Sequence, residues 1–229
     1  MKKISSYWSV GAKELAKPKS LAVAAMLCAL AIVTEQFNIK LAPSLEVSLS
    51  FIPIALCSAL TGPVVAVFAG MITDIVGAVI GGYVPFFFGY TLTAVLTAEV
   101  YALFLYGSDM CFTRILFSKA TVNVGVNVLL GSVWRVILYS ASDFSVYGYY
   151  AVIAMIKNTV MFPIEVALIC LTLHGLAKPL SKIGFSVGTK KLSKSQMTVI
   201  AALAAFALVL AAFLALYYTQ LKEIIKSAM

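Results

Sequence analysis

The 229-residue chain is 62% hydrophobic and only 11% charged, with a mean hydropathy of +1.02. That composition excludes a soluble globular domain and points to an integral membrane protein. The formal net charge of +8 reads as a topology signal rather than a nucleic-acid surface, because the basic residues cluster on one side of the predicted spans.

At about 20 residues per crossing, candidate spans run over 20–38, 48–61, 63–80, 88–106, 115–139, 151–174 and 196–218. Residues 1–19 form a basic N-terminus, expected to be cytoplasmic. The apolar run "LAVAAMLCALAIV" that follows has the length of a signal-peptide core, but no small-residue cleavage site succeeds it, so it is kept as the first helix. The second and third spans are short and are separated only by Thr61-Gly62-Pro63, which predicts a tight helical hairpin. In the fifth span, "KATVNVGVNVLLGSVWR", the residues Lys119, Asn123, Asn127, Gly131 and Arg135 recur every four positions. Such a step over-rotates an α-helix by roughly 40°, so the series is expected to spiral, with its two ends on different faces. Asn123 and Asn127 are expected to hydrogen-bond within the bundle. Residues 177–195 read as a basic cytoplasmic linker, and 196–229 as an extra, lipid-facing C-terminal helix with its tail.

With the N-terminus inside, the cytoplasmic segments hold Lys2, Lys3, Lys13, Lys17, Lys19, Arg114, Lys119, Lys178, Lys182, Lys190, Lys191 and Lys194. The other side holds Lys40, Lys222 and Lys226. Twelve against three sets the orientation. Cys28, Cys57, Cys111 and Cys170 form no CxxC pair and are expected simply to pack.

Ionisable residues inside spans are costly and mark cavities or partners. They are Asp74, Glu99, Arg135, Lys157 and Glu165, with Glu35 near the end of the first helix. Arg135 and Lys157 fall at similar depth on consecutive helices, with Trp134, Tyr139 and Asn158 beside them. This predicts a pocket for an anionic, ring-containing ligand: a planar fork, a point charge and stacking surfaces. The plainer reading is that both cations snorkel to headgroups, and Asp74 could pair with either. His174 sits near the end of the sixth span, where a capping role suits it. No HExxH, GxSxG or GxxxxGK[ST] occurs, and no cofactor or metal set is expected. Uphill transport would therefore draw on a partner or on an ion gradient.

Three stretches then carry a resemblance. "MITDIVGAVIGGYVPFFFGYTLTAVLTAEVYALFLYG", "VWRVILYS" and "IKNTVMFPIEV" resemble the folate-family S components, the substrate-binding membrane subunits of energy-coupling factor (ECF) vitamin transporters. Phe87-Phe88-Gly89-Tyr90-Thr91-Leu92 matches the family's FPGFTL-like helix start. Gly131 to Ser140 matches its NTLWLSxLYG-like segment. Lys157-Asn158, Met161 and Pro163-Ile164-Glu165 match its RxxKNxxMxPIE-like helix. The resemblance spans residues 20–176 and implies a six-helix substrate-binding core that captures a vitamin, folate or a related anionic heterocycle. It also implies partnership with a transmembrane T component and two ABC ATPases in the lipid bilayer. The expected ligand contacts are Arg135, which rests on its depth and charge because the family usually has an apolar residue there, together with Lys157, Asn158, Trp134, Tyr139, Asp74, Tyr83, Phe87, Phe88, Tyr90 and Thr91, with the loop Gly81-Gly82-Tyr83 closing over the ligand. Ala25 and Ala29 are the implied T-component contacts. Three motif positions depart from the family: its Arg is Ala154 here, and its Asn-Thr is Gly131-Ser132. The expected architecture is thus an all-α membrane protein of six core helices plus one C-terminal helix, without catalysis. The rival expectation is a stand-alone ion-coupled carrier or channel in which Asp74, Glu99 and Glu165 relay charge.

Overall fold

In the computed structural model the described residues are 2–37, 39–42, 45–82, 86–109, 111–140 and 142–185, with 196, 198, 201, 202, 205 and 209 beyond them. Tyr83, residues 186–195 of the linker and almost all of the predicted seventh helix lie outside this set.

The chain begins with helix α1 (Lys2–Glu14), where the sequence predicted only a basic tail. Its apolar residues are too few for a span, which is why hydropathy alone passes over it. Helix α2 (Pro18–Gln36) follows, with proline in the first turn where a missing N–H costs nothing. The antiparallel strands β1 (Ile39–Ala42) and β2 (Leu45–Val47) then form a small ribbon in which Ile39 pairs with Val47 and Lys40 with Glu46. The remaining helices are α3 (Phe51–Gly81), α4 (Phe88–Leu105), α5 (Phe112–Thr121), α6 (Gly131–Tyr139) and α7 (Tyr147–Lys182). A π-helical segment, Val122–Leu130, joins α5 to α6 without a break. Among the described residues, five helical stretches are long and apolar enough to cross a membrane.

One of those five, α3, is two helices. Gly62 has φ 81° and ψ 179°, a region open essentially only to glycine, and Pro63 follows it. Ser50 and Asp74 line one cavity, although 24 residues of straight helix would place them about 36 Å apart. The chain therefore doubles back at Gly62, as the hairpin prediction required. A Cβ on Gly62 would lie 2.8 Å from the Tyr106 ring, so the bend is closed by an aromatic lid as well as by backbone geometry.

Small residues set the spacing of the bundle. Ala66, Ala98 and Ala102 are fully buried together, and a Cβ on Gly70 would meet the Ala94 carbonyl oxygen at 2.8 Å. Close backbone approach of this kind replaces the hydrophobic drive that lipid removes. The larger core gathers Leu56, Tyr101, Leu105, Ile115, Ile169 and Leu173 around the ends of α3, α4, α5 and α7. Cys28, Cys57 and Cys170 are buried in these clusters, in line with a packing role. On α2 the inward face is Ser20, Ala24, Cys28 and Ala31, while Ala25 and Ala29 are exposed on the other side. His174 is not at a helix end, because α7 continues to Lys182; its Nδ1 lies 2.9 Å from the Cys170 carbonyl oxygen.

Helix α1 is fastened to the bend. Gly11 sits where a Cβ would be 2.7 Å from Pro63. Glu14 accepts hydrogen bonds from Lys17 Nζ (2.7 Å), Ser20 Oγ (2.6 Å) and the Tyr106 hydroxyl (3.3 Å). Burial raises the Glu14 pKa, but these donors and the Lys17 charge outweigh it and hold the carboxyl below its usual range. Burial and the Glu14 charge together push the Tyr106 phenol up to about 12, so it stays a donor. A depressed carboxyl pKa stabilises the fold above the unfolded-state value and loses that contribution as pH falls through the folded value. The melting-temperature gap between wild type and Glu14→Gln is therefore expected to be widest near neutral pH and to close on acidification, measured in detergent from pH 7 downward.

Candidate ligand-binding site

Two connected chambers open between the helices. The inner one, about 390 Å³, is lined by residues of α2 through α7, among them Glu35, Asp74, Lys119, Arg135, Lys157 and Glu165. The outer one, about 840 Å³, is walled by Gly82, Phe86, Phe87, Tyr90, Leu138 and Tyr139. Glu35, Ser50, Asp74, Tyr90, Thr93, Ala94 and Asn127 border both, which makes the pair one continuous space. Volumes of this order suit small-molecule ligands.

Arg135 and Lys157 do line the same chamber, as expected from their depth, and Asn158 lies beside them. Because α7 begins at Tyr147, Lys157 is about 15 Å along its helix, one turn deeper than the sequence implied. Tyr90 contributes to both chambers, Phe87 and Tyr139 to the outer one.

Three predicted contacts are corrected. Trp134 does not reach the chamber wall: its Nε1 donates to Thr93 Oγ1 (3.0 Å) and its ring packs edge-on against Phe87, centroids 5.6 Å apart. It supports the wall from behind, and Gly89 leaves the space for it, since a Cβ there would be 2.8 Å from the indole. Thr91 is fully buried and donates to Asp74 Oδ2 at 2.6 Å, so it positions that carboxylate rather than lining the space. Phe88 is 69% exposed on the outer surface of α4, edge-on to Phe86, because three consecutive phenylalanines at a helix start cannot share one face. Tyr83 lies outside the described residues.

A fourth correction concerns Lys119. It is not a cytoplasmic topology marker: it is 2% exposed, its Nζ is 3.1 Å from Glu165 Oε1, and it lies 4.5 Å from the centre of the Phe51 ring. The other eleven basic residues predicted on that side keep the expected charge bias unchanged in sign. Asn123 Nδ2 donates to Glu165 Oε2 (3.0 Å), and Asn127 Nδ2 donates to Asn123 Oδ1 and to Asn158 Oδ1, both at 3.3 Å. This ties the floor of the chamber into a single polar network across the fifth and sixth spans, in agreement with the expected bundle role of the two asparagines.

The expected spiral is also corrected. Lys119, Asn127, Gly131 and Arg135 all face the chamber. The π segment supplies the reason. Its wider turn under-rotates a four-residue step where the flanking α turns over-rotate it, and the two errors cancel across Val122–Leu130. Sequence spacing alone carries no sign of such a segment. Glu35 was also passed over as a contact, its position at a helix end concealing that it faces the chamber. Gly77 makes room for it, since a Cβ there would come within 2.8 Å of Glu35 Oε2.

Several apolar helices around a chamber walled by aromatic rings and mixed charges define a multi-pass membrane protein with an internal cavity of small-molecule size. Residues 16–182 match the family of ECF-type riboflavin transporter S components, and the chain belongs to that family. Helix α1 precedes the matched region. Two curated relatives are folate transporters named FolT. The one from Clostridium novyi (strain NT) is 29% identical over 148 residues, covering 63% of this chain and 82% of its own. The one from Leuconostoc mesenteroides is 32% identical over 146 residues, covering 63% and 78%. The crystal structure of FolT bound with folic acid is similar in fold, with a TM-score of 0.59 and 26% identity over 76% of this chain and 99% of that one.

Proposed function

We propose that this protein is the substrate-capture subunit of an ECF-type importer, binding a heterocyclic B vitamin of the folate or flavin kind and handing it on with a T component and two ABC ATPases. The observation that carries the reading is the two-chamber space, where Arg135, Lys157 and Asn158 meet Tyr90, Phe87 and Tyr139 in a chain of this family. In this reading the crossings are α2, the two halves of α3, α4, the continuous α5–α6 rod and α7. They form a six-helix core, with the run 196–218 as a seventh helix. The N-terminus is cytoplasmic by the basic-residue bias, which puts the outer chamber on the far side of the membrane, where a vitamin arrives. The exposed small-residue face of α2 at Ala25 and Ala29 allows the close helix approach a T component would need. The charge-relay alternative is weakened by Glu165, whose carboxylate is already held by Lys119 and Asn123.

The test is direct. Purified protein is expected to carry a B vitamin identifiable by mass spectrometry, and vitamin titration is expected to change the emission of Trp134, which abuts the outer-chamber ring Phe87. Trp134→Phe should remove most of that signal while binding persists. Empty protein, indifferent in both fluorescence and melting temperature to every B vitamin, would overturn the capture reading.

A further inference from the structure

The polar network at the chamber floor fixes more than packing, because an amide side chain has a donor end and an acceptor end and its neighbours decide which way it points. Glu165, paired with Lys119 at 3.1 Å, is a carboxylate and can only accept. Asn123 must therefore turn its Nδ2 to Glu165 Oε2 (3.0 Å), and it spends that nitrogen's second hydrogen on the Asn158 carbonyl oxygen (3.4 Å). Its Oδ1 is left to accept from Asn127 Nδ2 at 3.3 Å. A second constraint reaches Asn127 from α7. Asn158 Nδ2 donates to the Ala154 carbonyl oxygen at 2.8 Å, so Asn158 Oδ1 also accepts from Asn127 Nδ2, at 3.3 Å. Turning the Asn127 amide over would lose both bonds and set oxygen against oxygen twice.

Asn127 is thus held with its nitrogen toward the floor, and among the described residues no donor reaches its Oδ1. The same residue is half-buried and borders both chambers where they join. Thr93 borders both as well, but its hydroxyl hydrogen goes to the Gly89 carbonyl oxygen at 3.0 Å and its oxygen accepts from Trp134. It supplies no donor there.

We infer that Asn127 is a specificity-determining ligand contact that offers an acceptor and no donor, and that the buried Lys119–Glu165 pair is the positioning device that sets this polarity. The ligand such a contact fits is a heterocycle carrying a lactam or imide N–H in its ring. A ring edge that offers only acceptors meets an oxygen at this point and loses the hydrogen bond it made in water. The inference rests on the capture reading and adds to it a residue that the sequence placed only in the bundle network.

Riboflavin and folic acid both carry a ring N3–H, and each is compared with its N3-methyl derivative on purified full-length protein in nanodiscs at pH 7.5. The comparison is read on whichever vitamin binds more tightly. Asn127→Leu, close in volume but without the amide, is expected to weaken the parent vitamin at least tenfold and its N3-methyl derivative less than threefold. Equal loss for both ligands, the mark of a purely structural role, or no loss for either overturns the contact. Should this variant melt far below wild type, Asn127→Ala gives the same reading, since the parent vitamin must weaken. If only the methyl derivative improves there, the wall excludes bulk and the contact is again overturned. Lys119→Met with Glu165→Gln tests the polarity, because a glutamine satisfies Asn123 in either amide orientation. The preference for N–H over N-methyl is expected to fall at least threefold in that double variant, with Asn127 untouched; an unchanged preference overturns the positioning role. A B vitamin without a ring N–H that binds in place of both probes overturns the inference while capture stands. If no B vitamin binds, the capture reading itself fails.

Discussion

Lys119→Met is expected to lower the stability of the protein by about 3–5 kcal/mol, the usual consequence of stripping one partner from a buried ion pair. Lys119 is 2% exposed and contacts Glu165 at 3.1 Å, so its removal leaves the carboxylate with Asn123 Nδ2 as its remaining described donor. Methionine fills the lysine stem's volume, so the loss reports charge rather than packing. Adding Glu165→Gln should restore most of the stability, because an amide oxygen still accepts from Asn123 Nδ2, now 3.0 Å from Glu165 Oε2. Thermal melts in detergent of the two single variants and the double variant form a closed cycle. A single variant melting within a degree or two of wild type would mean that the pair is solvated and does not hold α5 to α7.

The residues that misled the sequence reading share a cause: position along the chain was taken for position in the membrane. Lys119 lies next to a loop and was counted with the cytoplasmic lysines, yet α5 begins at Phe112 and carries it two turns into the bundle. Glu35 lies at a helix end and was passed over as a contact, yet in the last turn of α2 it borders both chambers. By contrast the hairpin at Gly62-Pro63 was legible, because a glycine-proline step has few backbone solutions. That Arg135 and Lys157 share one chamber was legible too, since intramembrane charges are rare and two on adjacent helices have few places to go, even with Lys157 a turn deeper than its predicted span implied. Which aromatics face the chamber was legible only in part. Among Phe87, Phe88 and Tyr90, helical periodicity can separate opposite faces, but it takes the position of α6 to decide which face is inward. The π segment had no sequence signature at all, and it alone brings Lys119 and Arg135 onto the same wall.

Arg135→Ala combined with Lys157→Ala should weaken vitamin binding by roughly 10²- to 10⁴-fold, from two charge-assisted contacts worth about 1.5–3 kcal/mol each. The fold should survive, because neither residue belongs to the Lys119–Glu165–Asn123 floor. If Arg135 merely snorkels, Arg135→Ala alone will leave affinity unchanged, and only the Lys157 arm will register. Arg135→Lys separates the two roles the guanidinium can play: a point charge survives that exchange, whereas a planar two-donor fork does not. The double alanine variant also removes two positive charges from a chamber that Glu35 and Asp74 line, so its remaining affinity should fall further for anionic ligands than for neutral ones. That asymmetry distinguishes loss of direct contacts, which weakens all ligands alike, from loss of positive charge, which sorts them by sign. Equilibrium binding of one neutral and one anionic vitamin to the same four proteins, wild type, Arg135→Ala, Lys157→Ala and the double variant, reads both effects in one experiment.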